Sequence, residues 1–306
     1  METVLVIGAT GDQGAAQVAA LRSAGYPVAG ASRSRENPVL PCGTPTVYLD
    51  LLEPGTLPPA LAAFDTVFLN LPSASFSDPQ TVIDGFENFL AAAQAGDVKR
   101  IVFNSSLYVA DEPKGFPAHD TRYHIIERLL ASTVNATAVC PVIFLENLMR
   151  GWALPSLREH RVLSYPHADE LPVSWISLAD LGRIMICLGE DPAAVGRKVI
   201  VGGPEALRGR ETAAALSRAW GERIGFESLP VAAFAAKMGE LFAGGERSAA
   251  DRIAADLEAI YRWYNDAEPS PFTVAMDDFQ ARYRLKLTTV YDWARQNPLL
   301  AWRPVL

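Results

Sequence analysis

The sequence has few of the residues that hold small proteins together or bind metals. In 306 residues it contains only three cysteines and four histidines. Cys42, Cys140 and Cys187 are far apart and form no CxxC pair or Cys/His cluster, so the sequence predicts neither a metal site nor a disulfide framework. We expect free thiols, which indicates a reducing compartment and therefore the cytoplasm.

The chain also lacks excess positive charge and long hydrophobic runs. Its 27 Lys and Arg are outnumbered by 35 Asp and Glu, giving a net charge of -8. This balance argues against a broad basic face, so we expect no nucleic-acid partner. No run approaches the ~20 apolar residues that span a bilayer, and a strand predicted from Thr3 leaves no room for a signal peptide. We expect a small-molecule partner, no membrane association, and either a monomer or a homodimer.

Short apolar runs alternate with helix-length segments through the first part of the chain. This alternation predicts a doubly wound α/β fold with a parallel sheet covered on both faces. The predicted strands are Thr3 to Gly8, Val28 to Ser32, Thr46 to Leu49, Thr66 to Leu71, Arg100 to Ser105 and Ala136 to Pro141. The main predicted helices are Asp12 to Ala24, Pro79 to Gly96 and Ala118 to Ser132.

The pattern changes after Pro141. We predict a nucleotide-binding Rossmann domain over residues 1-150 and a smaller, mainly helical substrate-binding region over 151-306. A helix near Leu178 to Gly189 and a strand at Lys198 to Val201 place residues 175-202 back in the Rossmann core. Within Ala249 to Asn265 the apolar residues recur at helical spacing, which favours core packing.

A glycine-rich turn follows the first predicted strand. The spacing Gly8-x-x-Gly11-x-x-Gly14 differs from G-x-G-x-x-G, but the three glycines can serve the same purposes. In order, they allow a tight turn, close approach of the backbone to a pyrophosphate, and close packing of the next helix. The helix then presents its N-terminal amides to the anion. The alternative is an ordinary strand-to-helix turn. The residues predicted to bind a dinucleotide here are Gly8, Thr10, Gly11, Asp12, Gln13 and Gly14.

The second predicted strand ends in Ser32-Arg33-Ser34-Arg35. NAD-specific folds place a carboxylate about twenty residues after the glycine turn, against the ribose 2′-hydroxyl. A guanidinium at this place instead binds a 2′-phosphate, so Ser32 and Arg33 predict NADP(H) rather than NAD(H). The alternative is that the arginines are solvated loop charges. Asp50, after the third strand, either contacts the adenine side or caps a turn.

Several segments together resemble the NmrA-like family of atypical short-chain dehydrogenase/reductases. They are the glycine turn, Ala31-Ser32-Arg33, Ile101 to Ser106, Glu127 to Ser132, Pro141 to Asn147 and Pro172 to Gly182. The resemblance extends loosely to Trp293. It implies a Rossmann domain with a smaller C-terminal substrate region. It also implies either NADPH-dependent reduction of quinones, aromatic ketones, dyes or plant phenolics, or cofactor sensing without turnover.

The chain departs from this family on the helix after the fifth strand. Ordinary short-chain enzymes carry Tyr-x-x-x-Lys there, and many NmrA-like members keep the lysine four residues before the position of Glu127. Here Tyr123 occupies the lysine position, His119 occupies the tyrosine position, and no lysine lies on the helix. His119 and Tyr123 share a helix face, so both are predicted to face the nicotinamide. The alternatives are packing for Tyr123 and solvation for His119.

Other candidates follow the strand ends. Ser105 either binds a substrate carbonyl or caps the next segment. Tyr108 is a further candidate proton donor. Asn70 and Leu71 are predicted to border the cofactor, and Pro141 to wall the nicotinamide pocket by resemblance.

Two functions fit these residues, and a third stays open. The first is an NADPH-dependent reductase acting on a carbonyl, enone or quinone in an apolar pocket, with a polycyclic or quinonoid substrate of secondary metabolism as the favoured class. The second is a non-catalytic NADP(H) sensor read by a partner protein. A redox-neutral isomerase or epimerase with a tightly held cofactor is the third.

Overall fold

The computed structural model describes residues 1-36, 40, 43-72 and 78-299, so Cys42 lies outside the described residues. The chain divides into two compact units. The first is formed by Met1–Pro141 with Leu178–Ile200, and the second by Val142–Ser177 with the residues from Val201 onward. The sequence placed this boundary at residue 150. Both described cysteines, Cys140 and Cys187, are free thiols.

Strands and helices are numbered in chain order. The strands are β1 (Val4–Ile7), β2 (Val28–Ser32), β3 (Thr46–Tyr48), β4 (Thr66–Asn70), β5 (Arg100–Asn104), β6 (Ala136–Pro141), β7 (Val162–Tyr165), β8 (Arg197–Val201) and β9 (Gly225–Ser228). The helices are α1 (Asp12–Ser23), α2 (Leu57–Leu61), α3 (Pro79–Ala95), α4 (Pro117–Leu130), α5 (Leu178–Glu190), α6 (Gly209–Trp220), α7 (Val231–Phe242), α8 (Arg247–Asp266), α9 (Asp277–Tyr283) and α10 (Val290–Gln296).

Within the described residues, a seven-stranded sheet in the order β3-β2-β1-β4-β5-β6-β8 forms the centre of the first unit. Its pairings are parallel: Val4 of β1 lies opposite Val28 of β2 on one side and Thr66 of β4 on the other. This confirms the predicted Rossmann-like parallel sheet. The winding reverses between β1 and β4, and in such sheets ligands bind outside the carboxyl ends of the strands at this point.

Helices cover both faces of this sheet. Every residue of β1, β2, β4, β5 and β6 is buried, as expected for strands with helices on each side. Leu5 and Phe103 pack in one apolar cluster with Phe86 of α3 and Leu129 of α4. Helices α1 and α5 pack against each other, α1 on β1 and α5 on β5.

The second unit contains helices α6 to α10 and a small parallel sheet of β7 and β9. The sequence predicted the helical character but not the two strands. In β9 (Gly225–Ser228) only Phe226 is half-buried and the other three residues are exposed, so the strand has no apolar pattern to detect. The predicted apolar stripe of α8 is core, since Ile253, Leu257, Ile260 and Tyr264 are buried. Tyr261 is only half-buried.

No helix in the described ranges combines the length and apolarity needed to cross a membrane. Those ranges also contain no group of three or more His, Cys, Asp or Glu side chains placed to bind a metal ion.

Candidate functional site

The glycine turn lies at the carboxyl end of β1. Its three glycines differ in whether a residue with a side chain could replace them. Gly8 has a φ of +77°, a conformation that residues with a side chain rarely adopt. A Cβ on Gly14 would lie 2.2 Å from the carbonyl oxygen of Gly8, so only glycine fits there. A Cβ on Gly11 would meet only that same oxygen, at an ordinary contact of 3.5 Å. The backbone conformation and packing of the turn therefore require glycine at positions 8 and 14 but not at position 11.

Helix α1 begins directly after this turn without a side-chain cap. Gly11 is its N-cap residue and provides no capping group. Helix α3, in contrast, has Asp78 as its N-cap residue, whose carboxylate accepts a hydrogen bond from the Thr81 amide at 3.2 Å. Thr10, Gly11 and Asp12 are exposed. An uncapped, accessible helix N-terminus attracts anions, and an open position at Gly11 admits one closely, so these residues fit the pyrophosphate of a dinucleotide.

A network of side-chain amides joins this turn to the two neighbouring strands. Asn70 ends β4 and makes four hydrogen bonds: it donates to the Ile7 carbonyl at 2.9 Å and to Gln17 at 2.8 Å, and accepts from Gln17 at 2.8 Å and Asn104 at 2.9 Å. Asn104, opposite Asn70 at the end of β5, also donates to Gln13 at 2.5 Å. The network fixes the first turn of α1 against the sheet.

Sequence reasoning found Asn70 and Gln13 but missed Gln17 and Asn104, although both are fully buried. The sequence did carry one indication of this network: Asn70 and Asn104 end consecutive strands, and each follows an apolar run. Buried amides are costly unless they are hydrogen-bonded, so two of them at neighbouring strand ends predict a shared partner.

The end of β2 carries the predicted specificity residues. Ser32 is buried, and its hydroxyl accepts a hydrogen bond from the Ser34 amide at 3.0 Å, which holds the turn. Arg33 is exposed. The guanidinium of Arg35 lies 4.0 Å from the ring centroid of Tyr48 and is thus occupied by a cation–π contact. Of the two arginines, Arg33 therefore remains the predicted phosphate ligand.

The remaining predicted cofactor contacts lie nearby. Asp50 is a turn residue in the structure, since its Oδ1 accepts a hydrogen bond from the Leu52 amide at 2.9 Å. Leu71 is buried directly after β4, and Pro141 is buried as the last residue of β6. None of these three presents a polar side-chain donor to a phosphate.

His119 lies in the first turn of α4 and is only 1% exposed. Its Nε2 accepts a hydrogen bond from the Ala110 amide at 2.8 Å, so Nδ1 carries the proton and donates to Asp120 at 2.8 Å. Burial lowers the pKa of His119, and the Asp120 carboxylate opposes that shift. Both imidazole nitrogens are therefore bonded within the protein, to the segment after β5 and to Asp120, whereas the sequence predicted a side chain facing the nicotinamide or solvated.

The same segment is held from the other side by Lys198 of β8. Its Nζ donates to the carbonyls of Val109 at 3.0 Å and Ala110 at 2.8 Å, and pairs with Asp111 at 2.5 Å. The peptide groups on both sides of Ala110 are thus fixed, the N–H by His119 and the carbonyl by Lys198. We refer to His119, Lys198 and Ala110 as the Ala110 clamp. Sequence reasoning missed Lys198 because its contacts come from a distant loop.

The other catalytic candidates lie on or beside this segment. Ser105 is fully buried, and its hydroxyl donates to the Leu107 carbonyl at 2.6 Å. Tyr108 is half-buried, and burial together with the charge of Asp111 raises its pKa, so the phenol stays protonated. Tyr123 is half-buried and packs against the apolar cluster beneath α4. Tyr108 and Tyr123 are therefore the partly exposed candidates, and of the two Tyr123 packs against the apolar cluster.

A buried cation lies on the same helix. Arg122 is 1% exposed and donates from Nη2 to the Pro72 carbonyl, just beyond β4, at 2.8 Å. Within the described part of the chain its Nε and Nη1 have no hydrogen-bond partner, and burial lowers its pKa to about 10. The helix thus contributes an arginine, adjacent to the position where relatives have a lysine.

Comparison with known proteins places this geometry in a family. The NmrA-like family model matches residues 1-294. The NAD(P)H azoreductase of Xenophilus azovorans is 31% identical over 232 residues, covering 74% of this chain and 77% of that protein. The (4-alkanoyl-5-oxo-2,5-dihydrofuran-3-yl)methyl phosphate reductase of Streptomyces griseus is 31% identical over 229 residues, with coverages of 74% and 77%.

Among solved structures, an NADPH-dependent quinone oxidoreductase from Escherichia coli complexed with NADPH superposes with a TM-score of 0.72 at 19% identity. The match covers 96% of this chain and 99% of that one. At this identity the likeness shows a shared fold. Because the family model spans nearly the whole chain and the curated relatives exceed 30% identity, the chain belongs to the NmrA-like family.

Proposed function

We propose that this protein is an NADPH-dependent oxidoreductase that transfers hydride to a polarised double bond of an apolar, conjugated substrate. The observation that carries the proposal is the combination, in one unit, of the uncapped N-terminus of α1 and the exposed Arg33 at the end of β2. The first fits a pyrophosphate, and the second fits the 2′-phosphate that distinguishes NADP(H) from NAD(H).

When bound, NADPH supplies the hydride. The protein's own contribution is to hold the dinucleotide and to provide a proton. Tyr108 is the residue we assign as proton donor, because it is only half-buried and its phenol carries a proton at neutral pH. Burial raises its pKa and makes it a weaker acid, which suits an acceptor that needs little acid assistance. The Ala110 clamp fixes the backbone two residues beyond Tyr108, which limits the positions the phenol can take.

The names of two relatives favour conjugated acceptors. One is called an azoreductase. The substrate named for the other has a ring C=C bond conjugated to two carbonyl groups. Conjugation spreads the negative charge that hydride creates, so such substrates need less acid assistance than isolated ketones. This suits a protein whose α4 has no Tyr-x-x-x-Lys pair, and it extends the proposal to quinones and polycyclic aromatic ketones.

A second candidate function is a non-catalytic NADP(H) sensor. The observation that favours it is the engagement of His119: both of its nitrogens are bonded within the unit, and α4 carries no lysine. A protein that only senses the cofactor needs the phosphate contacts but no proton donor.

Steady-state assays separate the two functions. We expect purified protein to oxidise NADPH, followed by the loss of its absorbance, in the presence of 1,4-naphthoquinone, an azo dye such as methyl red, or an acyl-butenolide. NADH should be a poorer donor at equal concentration. Tight NADPH binding with no oxidation across all three acceptor types would overturn the reductase and support the sensor.

A further inference from the structure

The second unit contains a dense group of aromatic rings, which we call the aromatic cluster. At its centre, the ring centroid of Tyr165 lies 4.5 Å from that of His167, 5.1 Å from Trp175 and 5.4 Å from Trp152. Its members are Trp152, Tyr165, His167, Trp175, Phe234 and Tyr261. None of these side chains is formally charged when the histidine is neutral, so the cluster is an apolar environment with a few polar atoms.

A chain of hydrogen bonds runs through the cluster toward its half-buried side. Asn147 donates to the Tyr165 hydroxyl at 3.4 Å. The hydroxyl of Tyr165, which is 1% exposed, is in turn hydrogen-bonded to that of Tyr261. Either phenol can donate within this pair, and when Tyr165 donates, the proton of Tyr261 is left at the end of the chain. Tyr261 and Trp152 are the half-buried members, so this last donor lies where the cluster is partly open.

His167 provides an independent observation. It is 3% exposed, and its buried Nε2 has no hydrogen-bond partner among the residues that the structure describes. Burial lowers its pKa to about 3, so the imidazole stays neutral. A buried, unpaired polar atom destabilises a fold, and the surrounding rings of Tyr165, Trp175 and Phe272 do not satisfy it. A ligand that brought a hydrogen-bonding group to His167 would recover this cost.

We propose that the aromatic cluster binds a planar aromatic ligand that carries an oxygen or nitrogen acceptor, with Tyr261 donating to that acceptor and His167 hydrogen-bonding a second polar group. Rings of this kind stack on or meet the edges of Trp and Tyr side chains favourably. The absence of charge on the cluster residues selects a neutral ligand such as a quinone over a carboxylate or phosphate. That this ligand is the substrate rests on the proposed reductase function.

Binding of 1,4-naphthoquinone to the full chain without NADPH tests the site, with quenching of tryptophan fluorescence as the readout. We expect Tyr261→Phe, which keeps the ring and removes the donor, to weaken binding about fivefold. Tyr291→Phe removes a hydroxyl from α10 and serves as the matched control, with affinity unchanged. The affinity for NADPH should be unchanged in both variants.

His167→Phe gives a second signature, because it replaces the unpaired imidazole by an apolar ring. We expect a higher Tm together with weaker naphthoquinone binding. A higher Tm with unchanged binding would show that His167 is only a core residue and would overturn its role. No binding by the wild-type protein, or equal affinity in Tyr261→Phe, would overturn the site. Binding that depends on Tyr261 without NADPH oxidation would keep the site and reject the reductase function.

Discussion

The side-chain nitrogen of Asn104 lies 2.5 Å from Oε1 of Gln13, so the end of β5 holds the first turn of α1 directly. The same nitrogen donates to Asn70 at 2.9 Å. Asn104→Asp keeps the shape and replaces this donor by an oxygen that faces two acceptors. We expect it to lower the free energy of unfolding by about 2 kcal/mol, the cost of unpaired buried polar groups, and to weaken NADPH binding by releasing Gln13.

Urea unfolding and fluorescence titration with NADPH measure the two effects of Asn104→Asp. Asn135→Asp is the matched control, because Asn135 is exposed and makes only a 3.4 Å contact to the Lys99 carbonyl. If both variants have wild-type stability, the amide network does not hold the turn.

Arg33→Ala tests the cofactor preference. We expect NADPH binding to weaken by about 1.5 to 3 kcal/mol, the range for a hydrogen bond to a charged group, while NADH binding is spared. Arg35→Ala is the comparison, because Arg35 stacks on Tyr48 and should change NADPH binding by less than about 1 kcal/mol. Equal losses for NADPH and NADH in Arg33→Ala would remove Arg33 from phosphate recognition.

Lys198→Met tests the Ala110 clamp. It keeps the length of the side chain but removes three donors, so the segment with Tyr108 should lose its fixed position. We expect turnover to fall about tenfold or more, since small misplacements of a catalytic group are costly, with NADPH affinity unchanged. Lys198→Arg should restore part of the activity. Lys99→Met, at an exposed position, should behave as wild type, and equal turnover in both methionine variants would contradict the clamp.

The pH dependence of stability follows from His167. Its pKa is about 3 in the folded protein, against about 6.5 when unfolded, so below pH 6.5 the unfolded chain binds more protons. This group therefore contributes full stability above pH 6.5 and lowers the free energy of unfolding by about 1.4 kcal/mol per pH unit as the pH falls from 6.5 toward 3. His119, whose pKa is also lowered, acts in the same direction.

Urea unfolding at pH 7.5, 6.0 and 5.0 measures this slope. In His167→Phe, the slope of the free energy of unfolding against pH should be smaller by the contribution of one titrating group. The variant should remain more stable than the wild type at every pH. Parallel slopes for the variant and the wild type would show that His167 does not resist protonation in the fold.

Alanine substitutions at Gly14 and Gly11 should have different effects on folding and on NADPH binding. Gly14→Ala should prevent folding or strongly destabilise the first unit, because its Cβ would meet the Gly8 oxygen at 2.2 Å. Gly11→Ala should lower the free energy of unfolding by about 1 kcal/mol, because alanine is a poorer N-cap residue than glycine, and should also weaken NADPH binding. Thermal unfolding and NADPH titration distinguish them; wild-type NADPH affinity in Gly11→Ala would mean that no phosphate approaches this position.

The sequence predicted the six N-terminal strands because each is a short run between turn residues. Five of them are buried and apolar, as for Val4–Ile7, and β3 is half-buried. Helix α4 was predicted over Ala118 to Ser132 and spans Pro117–Leu130. The glycine turn and the position of Arg33 follow from local spacing. These features depend on residues close together in the chain, which is why they can be predicted.

The contacts of the site depend on residues far apart in the chain. Lys198 reaches Ala110 from a separate strand, and Gln17 meets Asn70 across the β1–β4 switch. From the sequence, His119 was a residue at the start of a helix with no assigned partner. In the structure the preceding loop folds back, and the Ala110 amide donates a hydrogen bond to it. Such pairings are set by tertiary packing, which no local pattern specifies.

The different requirements at Gly8, Gly11 and Gly14 bear on how relatives of this protein diverge. A descendant that lost its nucleotide would still need Gly8 and Gly14, because the backbone turn cannot form without them. Only the middle glycine would be free to drift. Position 11 is therefore the place where the sequences of related proteins would record the loss of the cofactor, while the outer two glycines would be retained in binders and non-binders alike.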